Sequence, residues 1–148
     1  MYLLDTNVAG EITKPAPNQN VRSWLDSVDD TDIFFSVAVI MEQRKGLEMA
    51  KKKKNANIQA IRASEQKLKD FVADFADQIV PVDNSIALEW GRLVGERQQD
   101  LMDLLIAATA ITEDYIVVTR NVGDFERRVS DVIDPFKWNE KSKKRSRK

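Results

Sequence analysis

Neither cysteine nor histidine occurs in the 148 residues. The first absence excludes disulfides, thiolate metal sites and a cysteine nucleophile. The second excludes zinc motifs of the H-E-x-x-H type, the Ser-His-Asp triad and the commonest general base. Glycine is scarce, five residues scattered along the chain, with no G-x-x-x-x-G-K-[ST] or G-x-G-x-x-G run to cradle a nucleotide phosphate. No apolar stretch nears the roughly 18 residues of a membrane span. The first residues also lack the basic-then-apolar order of a signal peptide, so the expectation is a cytoplasmic protein with no membrane partner. Acid-base or metal chemistry is left to carboxylates, Lys, Tyr, hydroxyls and backbone, and an all-oxygen ligand set suits magnesium, manganese or calcium.

What is present is a chain 43% hydrophobic, long enough for one well-formed core and too short for two. One domain is expected over residues 1–136, followed by a basic, flexible tail over 137–148. The net charge of −1 hides an asymmetry, because "KWNEKSKKRSRK" at the end holds seven basic residues and one acidic one; without that +6, residues 1–136 carry −7. A second basic cluster is "KKKK", Lys51 to Lys54. Both clusters read as solvated chain ends or as contacts to a polyanion.

Hydrophobic patterning alternates strand and helix. "MYLL", "DIFFSV", "QIVPV" and the β-branched "YIVVT" read as strands, and "DVID" as an edge strand. "NVAGEIT" starts a helix that Pro15 and Pro17 prevent from continuing, and "NVRSWLDSV" is a second short one. Ser36 caps a helix from Val37 to about Ala50. Residues 57–77 place Ile58, Ile61, Leu68, Phe71, Val72 and Phe75 on one stripe, "NSIALEWGRLVGERQ" turns Ile86, Leu88, Trp90 and Leu93 partly inward, and "DLMDLLIAATAITED" is apolar nearly all round. Such alternation predicts an α/β fold with a parallel sheet covered on both faces, whose ligands lie outside the carboxyl ends of the strands.

That rule gives meaning to the acids. Asp5 stands at the carboxyl end of the first strand, and "TRNVGDF" brings Thr119, Asn121 and Asp124 out at the end of the fourth. Asp103 lies in the first turn of the apolar helix, and Glu42 borders a buried stripe. Each has a local explanation: Asp5 or Asn7 as a helix cap, Asp100 as the cap of the helix at 101, Glu42 paired with Lys45 or an Arg, Asp124 in a turn. Taken together they are harder to explain locally. Two carboxylates ~5 Å apart repel by about 3 kcal/mol at an effective dielectric of 20, so several converging acids call for a cation or raised pKa values.

In order and spacing, "LLDTN", "SVAVIMEQRKG", "LMDLLIAATA" and "VVTRNVGDF" resemble the PIN-domain ribonucleases, specifically the VapC-type toxins of bacterial toxin-antitoxin pairs, over residues 1 to about 136. The resemblance implies a three-layer α/β/α sandwich on a short central parallel sheet and an endoribonuclease dependent on Mg2+ or Mn2+. By position, Asp5, Glu42, Asp103 and Asp124 match the family's acids, with Asp5 and Asp103 as principal metal ligands and Asn7, Thr119 and Asn121 in support. Asn121 stands where many relatives have Asp, which weakens a second metal site, and "GERQQDLMD" before the third acid departs from the pattern. The substrate implied is a structured RNA, transfer RNA foremost, to which Lys51, Lys52, Lys53, Lys54, Lys143, Lys144 and Arg145 would supply phosphate contacts. A homodimer is implied, as is a cognate antitoxin whose arm crosses a groove beside the site and which alone carries the DNA-binding module. The helices within residues 7–28, with Trp24 and Leu25, are the expected groove wall. Two other readings compete: a PIN-like module that binds RNA or regulates without cutting, and a receiver-like domain, which leaves the acids at 42 and 103 without a role.

Overall fold

A computed structural model of the protein describes residues 1–96 and 100–139. Along the chain run β1 (Tyr2–Leu4), α1 (Thr6–Ile12), α2 (Gln19–Leu25), β2 (Ile33–Ser36), α3 (Val37–Lys51), α4 (Ile58–Asp74), β3 (Ile79–Val80), α5 (Asn84–Glu96), α6 (Leu101–Glu113), β4 (Ile116–Val118), α7 (Val122–Phe125) and β5 (Val132–Ile133). Short 3-10 turns occupy Asp30–Asp32, Ala76–Gln78 and Pro135–Lys137. Every strand pairing is parallel, in the order β3-β2-β1-β4-β5, so the expected edge strand "DVID" is β5 against β4.

Side chains alternate across a strand, and this divides the core into two. Leu3 and Val117 face one way, into a cluster with Ile86, Leu93, Phe125 and the buried run Leu104–Ala110 of α6. Leu4 and Val118 face the other, against Val8, Val21, Trp24, Val39 and Phe71 from α1, α2, α3 and α4. The result is the expected three-layer sandwich. Ser36 does cap α3, its hydroxyl accepting from the Ala38 N–H at 3.2 Å.

Three expectations about the core are corrected. Ile58 and Val72 are exposed on α4, at 51% and 38%. Ile58 opens the helix and Val72 lies about 100° round from the buried Phe71, so the buried stripe is the narrower set Ile61, Leu68 and Phe71. Leu88 is 77% exposed because two residues along a helix from the buried Ile86 is about 200° round it. Trp24, expected in a groove wall, is 1% exposed and stacked edge-on against Tyr2 with ring centroids 5.4 Å apart. No helix among the described residues is long and apolar enough to cross a membrane.

Candidate active site

The strand order reverses direction of growth at β1, which pairs with β2 on one side and β4 on the other. Leu4 lies opposite Val118, so the next residues, Asp5 and Thr119, leave the sheet side by side at the carboxyl edge. Asp5 serves two purposes there. Its N–H extends the ladder to the Val118 carbonyl at 3.0 Å, while its side chain caps α1 by accepting from the Thr6 N–H at 2.7 Å.

A closed set of hydrogen bonds fixes the Asp5 carboxylate. Oδ2 accepts from the Thr119 hydroxyl at 2.6 Å and from Asn7 Nδ2 at 2.9 Å. The same hydroxyl accepts from Asn7 Nδ2 at 3.2 Å and from the Asn121 N–H at 2.9 Å, so its one donor and both lone pairs are used. Asn7 Oδ1 in turn accepts the Arg120 N–H at 3.1 Å. Burial pushes the Asp5 carboxyl up, and the hydrogen bonds from Thr119, Thr6 and Asn7 pull against it.

The other acids arrive from different helices. Glu42, on the second turn of α3, accepts a hydrogen bond from the Thr6 hydroxyl. Asp103 sits in the first turn of α6, and Asp100 caps that helix through the Met102 N–H at 3.0 Å. Glu42, Asp100 and Asp103 each place a carboxylate oxygen within 4.8 Å of the others. The Asp103 carboxyl is pushed up to about 7, by burial first and then by the charges of Asp5, Asp100, Asp124 and Glu42. An all-carboxylate set in which the charges of its neighbours help raise the Asp103 carboxyl fits a hard divalent cation taking oxygen ligands. Asp5, Thr6, Asn7, Glu42, Gln43, Asp100, Asp103 and Asn121 together line an open cleft of about 450 Å³.

Of the residues expected from the sequence, Asp5, Asn7, Glu42, Asp103 and Asn121 line the cleft, with Thr119 buried behind them. Asp124, exposed on α7, does not line it but acts by its charge on both Asp5 and Asp103. Lys51 lies nine residues along α3 from Glu42, about 14 Å up the helix axis, and is paired with Glu65 at 2.6 Å and Glu48 at 3.2 Å. Lys52, Lys53 and Lys54 are exposed just beyond it, while Lys143, Lys144 and Arg145 lie outside the described residues. Two cleft residues were not anticipated there. Thr6 bridges Asp5 and Glu42, and its only sequence signal is its place beside the first acid. Asp100 both caps α6 and lines the cleft; the sequence signal for the second use is a carboxylate three residues before Asp103, on the same helical face.

A separate groove of about 830 Å³ lies on the α1–α2 side of the sheet. Ile12, Leu25, Val28, Ile33 and Phe75 give it an apolar surface, Asp26, Asp29 and Asp30 are acids at its rim with Arg22 paired to Asp26 at 3.1 Å, and Glu11 lies deeper in the lining. Glu11 is buried, and its carboxyl is held below the usual range by hydrogen bonds from Lys14 and from the Asn18 N–H.

Comparison with known proteins agrees with this geometry. The PIN domain family model matches residues 2–129. Toxin FitB of Neisseria gonorrhoeae is 30% identical over 141 residues, spanning 92% of this chain and 99% of its own, and the VapC ribonuclease Y4jK of Sinorhizobium fredii is 28% identical over 92% and 98%. The crystal structure of FitAcB from Neisseria gonorrhoeae superposes with a TM-score of 0.75 at 29% identity, covering 93% of this chain and 99% of that one. The sheet order, the acids at its carboxyl edge and these matches agree: the chain belongs to the PIN-domain family, among the VapC-type toxins.

Proposed function

We propose that the protein is a metal-dependent endoribonuclease, the toxin of a toxin-antitoxin pair, which hydrolyses phosphodiester bonds of structured RNA in the cytoplasm, with transfer RNA as the leading substrate. The observation that carries this reading is the convergence of Asp5, Glu42 and Asp103, from a strand end and two different helices, on one open cleft at the switch point of the sheet. A surface that only bound a polyanion would gain nothing from such an arrangement of like charge.

Asp5, Glu42, Asp100 and Asp103 are the residues that would hold a Mg2+ or Mn2+ ion. When bound, such an ion supplies Lewis-acid polarisation of the phosphodiester and a more acidic water. The chain's own part is orientation. Thr119 and Asn7 hold Oδ2 of Asp5 in a fixed position, and Thr6 sets Glu42 against the same strand end. Glu42 would position the attacking water from within the cleft, and Asp124, outside the lining, adds negative charge that acts on Asp5 and Asp103.

The partner is a cognate antitoxin, and DNA is reached only through it. Among the similar solved structures are FitAcB from Neisseria gonorrhoeae and FitAB bound to an IR36 DNA fragment. In this chain the acidic-rimmed apolar groove supports the same arrangement, since it suits a basic amphipathic segment; Leu25 lines it and Trp24 supports it from the core. A homodimer is part of the proposal.

The test is cleavage of total cellular RNA by purified, antitoxin-free protein with magnesium, manganese or chelator, beside Asp5→Asn. Wild type should cut only with metal, and the variant should lose at least about 100-fold in rate while keeping its melting temperature within a few degrees. No cleavage by folded wild-type protein with either metal would return the chain to the non-cutting module.

A further inference from the structure

An RNA strand that reaches this cleft meets four carboxylates, those of Asp5, Glu42, Asp100 and Asp103, and no cation among the described lining residues. Repulsion of the flanking phosphates has to be offset from beside the cleft. Arg120 is placed to do this. It stands between Thr119 and Asn121, and its own N–H is held by Asn7 Oδ1, so its backbone belongs to the hydrogen-bonded set that orients Asp5. Its side chain is exposed, and its charge helps to hold down the Glu11 carboxyl towards the far end of α1.

The guanidinium is also held in place. It lies over the Phe136 ring at 4.0 Å from the centroid. The backbone that carries the ring is tied down, because the Phe136 N–H donates to Asp134 Oδ1 at 3.0 Å and its carbonyl accepts from Asn20 Nδ2 at 2.7 Å. A guanidinium stacked on a ring keeps its in-plane N–H donors free, in the fork that matches two phosphate oxygens. Ordering it on RNA binding then costs less than ordering a lysine of the 51–54 cluster, whose members are exposed at a helix end.

Resting on the ribonuclease reading above, we propose that Arg120, stacked on Phe136, grips a phosphate of the RNA strand next to the scissile bond, on the α1 side of the cleft. It is a substrate-positioning residue that never touches the reacting atoms.

The experiment compares wild type, Arg120→Ala, Arg120→Lys and Phe136→Leu with bulk transfer RNA, reading kcat and KM, RNA affinity across a salt series, and melting temperature. Arg120→Ala should raise KM and Kd about tenfold, leave kcat within about twofold, and make the salt slope of binding shallower by about one phosphate contact. Arg120→Lys should recover part of the affinity, and Phe136→Leu should lose about threefold by freeing the guanidinium. Unchanged KM and salt slope in Arg120→Ala, with a lower melting temperature, would overturn the proposal and leave Arg120 as a strut between the β4 loop and the 3-10 turn. Weaker binding confined to the antitoxin protein would overturn it too. The binding arm needs no turnover, so the proposal can fail while wild type cuts RNA, and the ribonuclease reading can fail while Arg120 still binds it.

Discussion

Asp103 carries most of the electrostatic tension in the cleft. Asp5 is the more buried of the two, but three hydrogen-bond donors oppose the effect of its burial, whereas Asp103 has burial and four neighbouring acids acting in one direction. With its carboxyl titrating at about 7, the folded metal-free protein retains a proton that the unfolded chain, with an ordinary aspartate near 3.9, has already released. The stability from this group is therefore greatest below about pH 4, falls as pH rises towards about 7, and is level above. Asp103→Asn should remove that slope: in calorimetric melts without metal, its melting temperature should fall less than wild type between about pH 5 and about pH 8 and be the higher of the two at pH 8. An equal decline in both would place the repulsion elsewhere. Asp100→Asn separates two roles on one side chain. Asn still caps a helix, so stability should hold within about 1 kcal/mol, while Mn2+ affinity measured by titration calorimetry should drop roughly tenfold if the carboxylate is a ligand. The sequence made Asp5 and Asp103 legible as candidates, one at a strand end and the other at a helix start, while Glu42, on the second turn of α3, joined them through the family resemblance. It could not show that Asp100 faces the same cleft, because a capping residue looks the same in sequence whether or not its charge has a second use.

α6 was legible from its length and apolarity, and β4, only three residues, from its β-branched run. The short helical turns were not: α7 has four residues and the 3-10 turns three each, too few for any periodicity to register. Leu88 shows the limit in a longer helix, since an apolar residue on the outer face of α5 counts towards composition without joining the core. The end of α6 carries a local conflict. Asp114 closes that helix in the left-handed conformation, at φ 57°, its N–H bonded to the Ala110 carbonyl, a position that glycine adopts without steric cost. Asp114→Gly should stabilise the protein by about 0.5 kcal/mol, read as a rise of about 1–3 °C in melting temperature, with RNA cleavage unaffected because Asp114 lies at the opposite end of α6 from Asp103. A fall in melting temperature would mean that the Asp side chain has a partner stronger than the strain.

At the scale of the molecule, two concave surfaces lie on different parts of one sheet, and both are acidic. The cleft concentrates carboxylates at the carboxyl edge; the groove combines an apolar floor with Glu11, Asp26, Asp29 and Asp30. The expected wall from α1 and α2, with Leu25, forms one part of that groove, but nothing in the sequence pointed to the rest, which comes from the turn before β2 and from Phe75 and Gln78 well beyond. Its rim explains where part of the −7 of residues 1–136 is used: an antitoxin segment carrying Arg or Lys would be drawn to the groove first, and the same cationic chain could neutralise the cleft acids. Charge at the rim then controls the rate of association more than the chemistry of RNA cleavage. Asp26→Lys with Asp30→Lys tests this without disturbing the core, because both side chains are exposed, the Asp30 carbonyl that accepts from Gln78 Nε2 at 2.7 Å is untouched, and what is given up is the exposed ion pair of Asp26 with Arg22. Measured by surface binding with the purified antitoxin at low salt, the double variant should lose about tenfold in affinity, about 1.4 kcal/mol, mainly through slower association, and the difference from wild type should shrink as salt is raised. RNA cleavage by the free variant should match wild type. If cleavage fell in step with antitoxin binding, the groove and the cleft would be one surface for RNA, and the acidic rim would need a different partner.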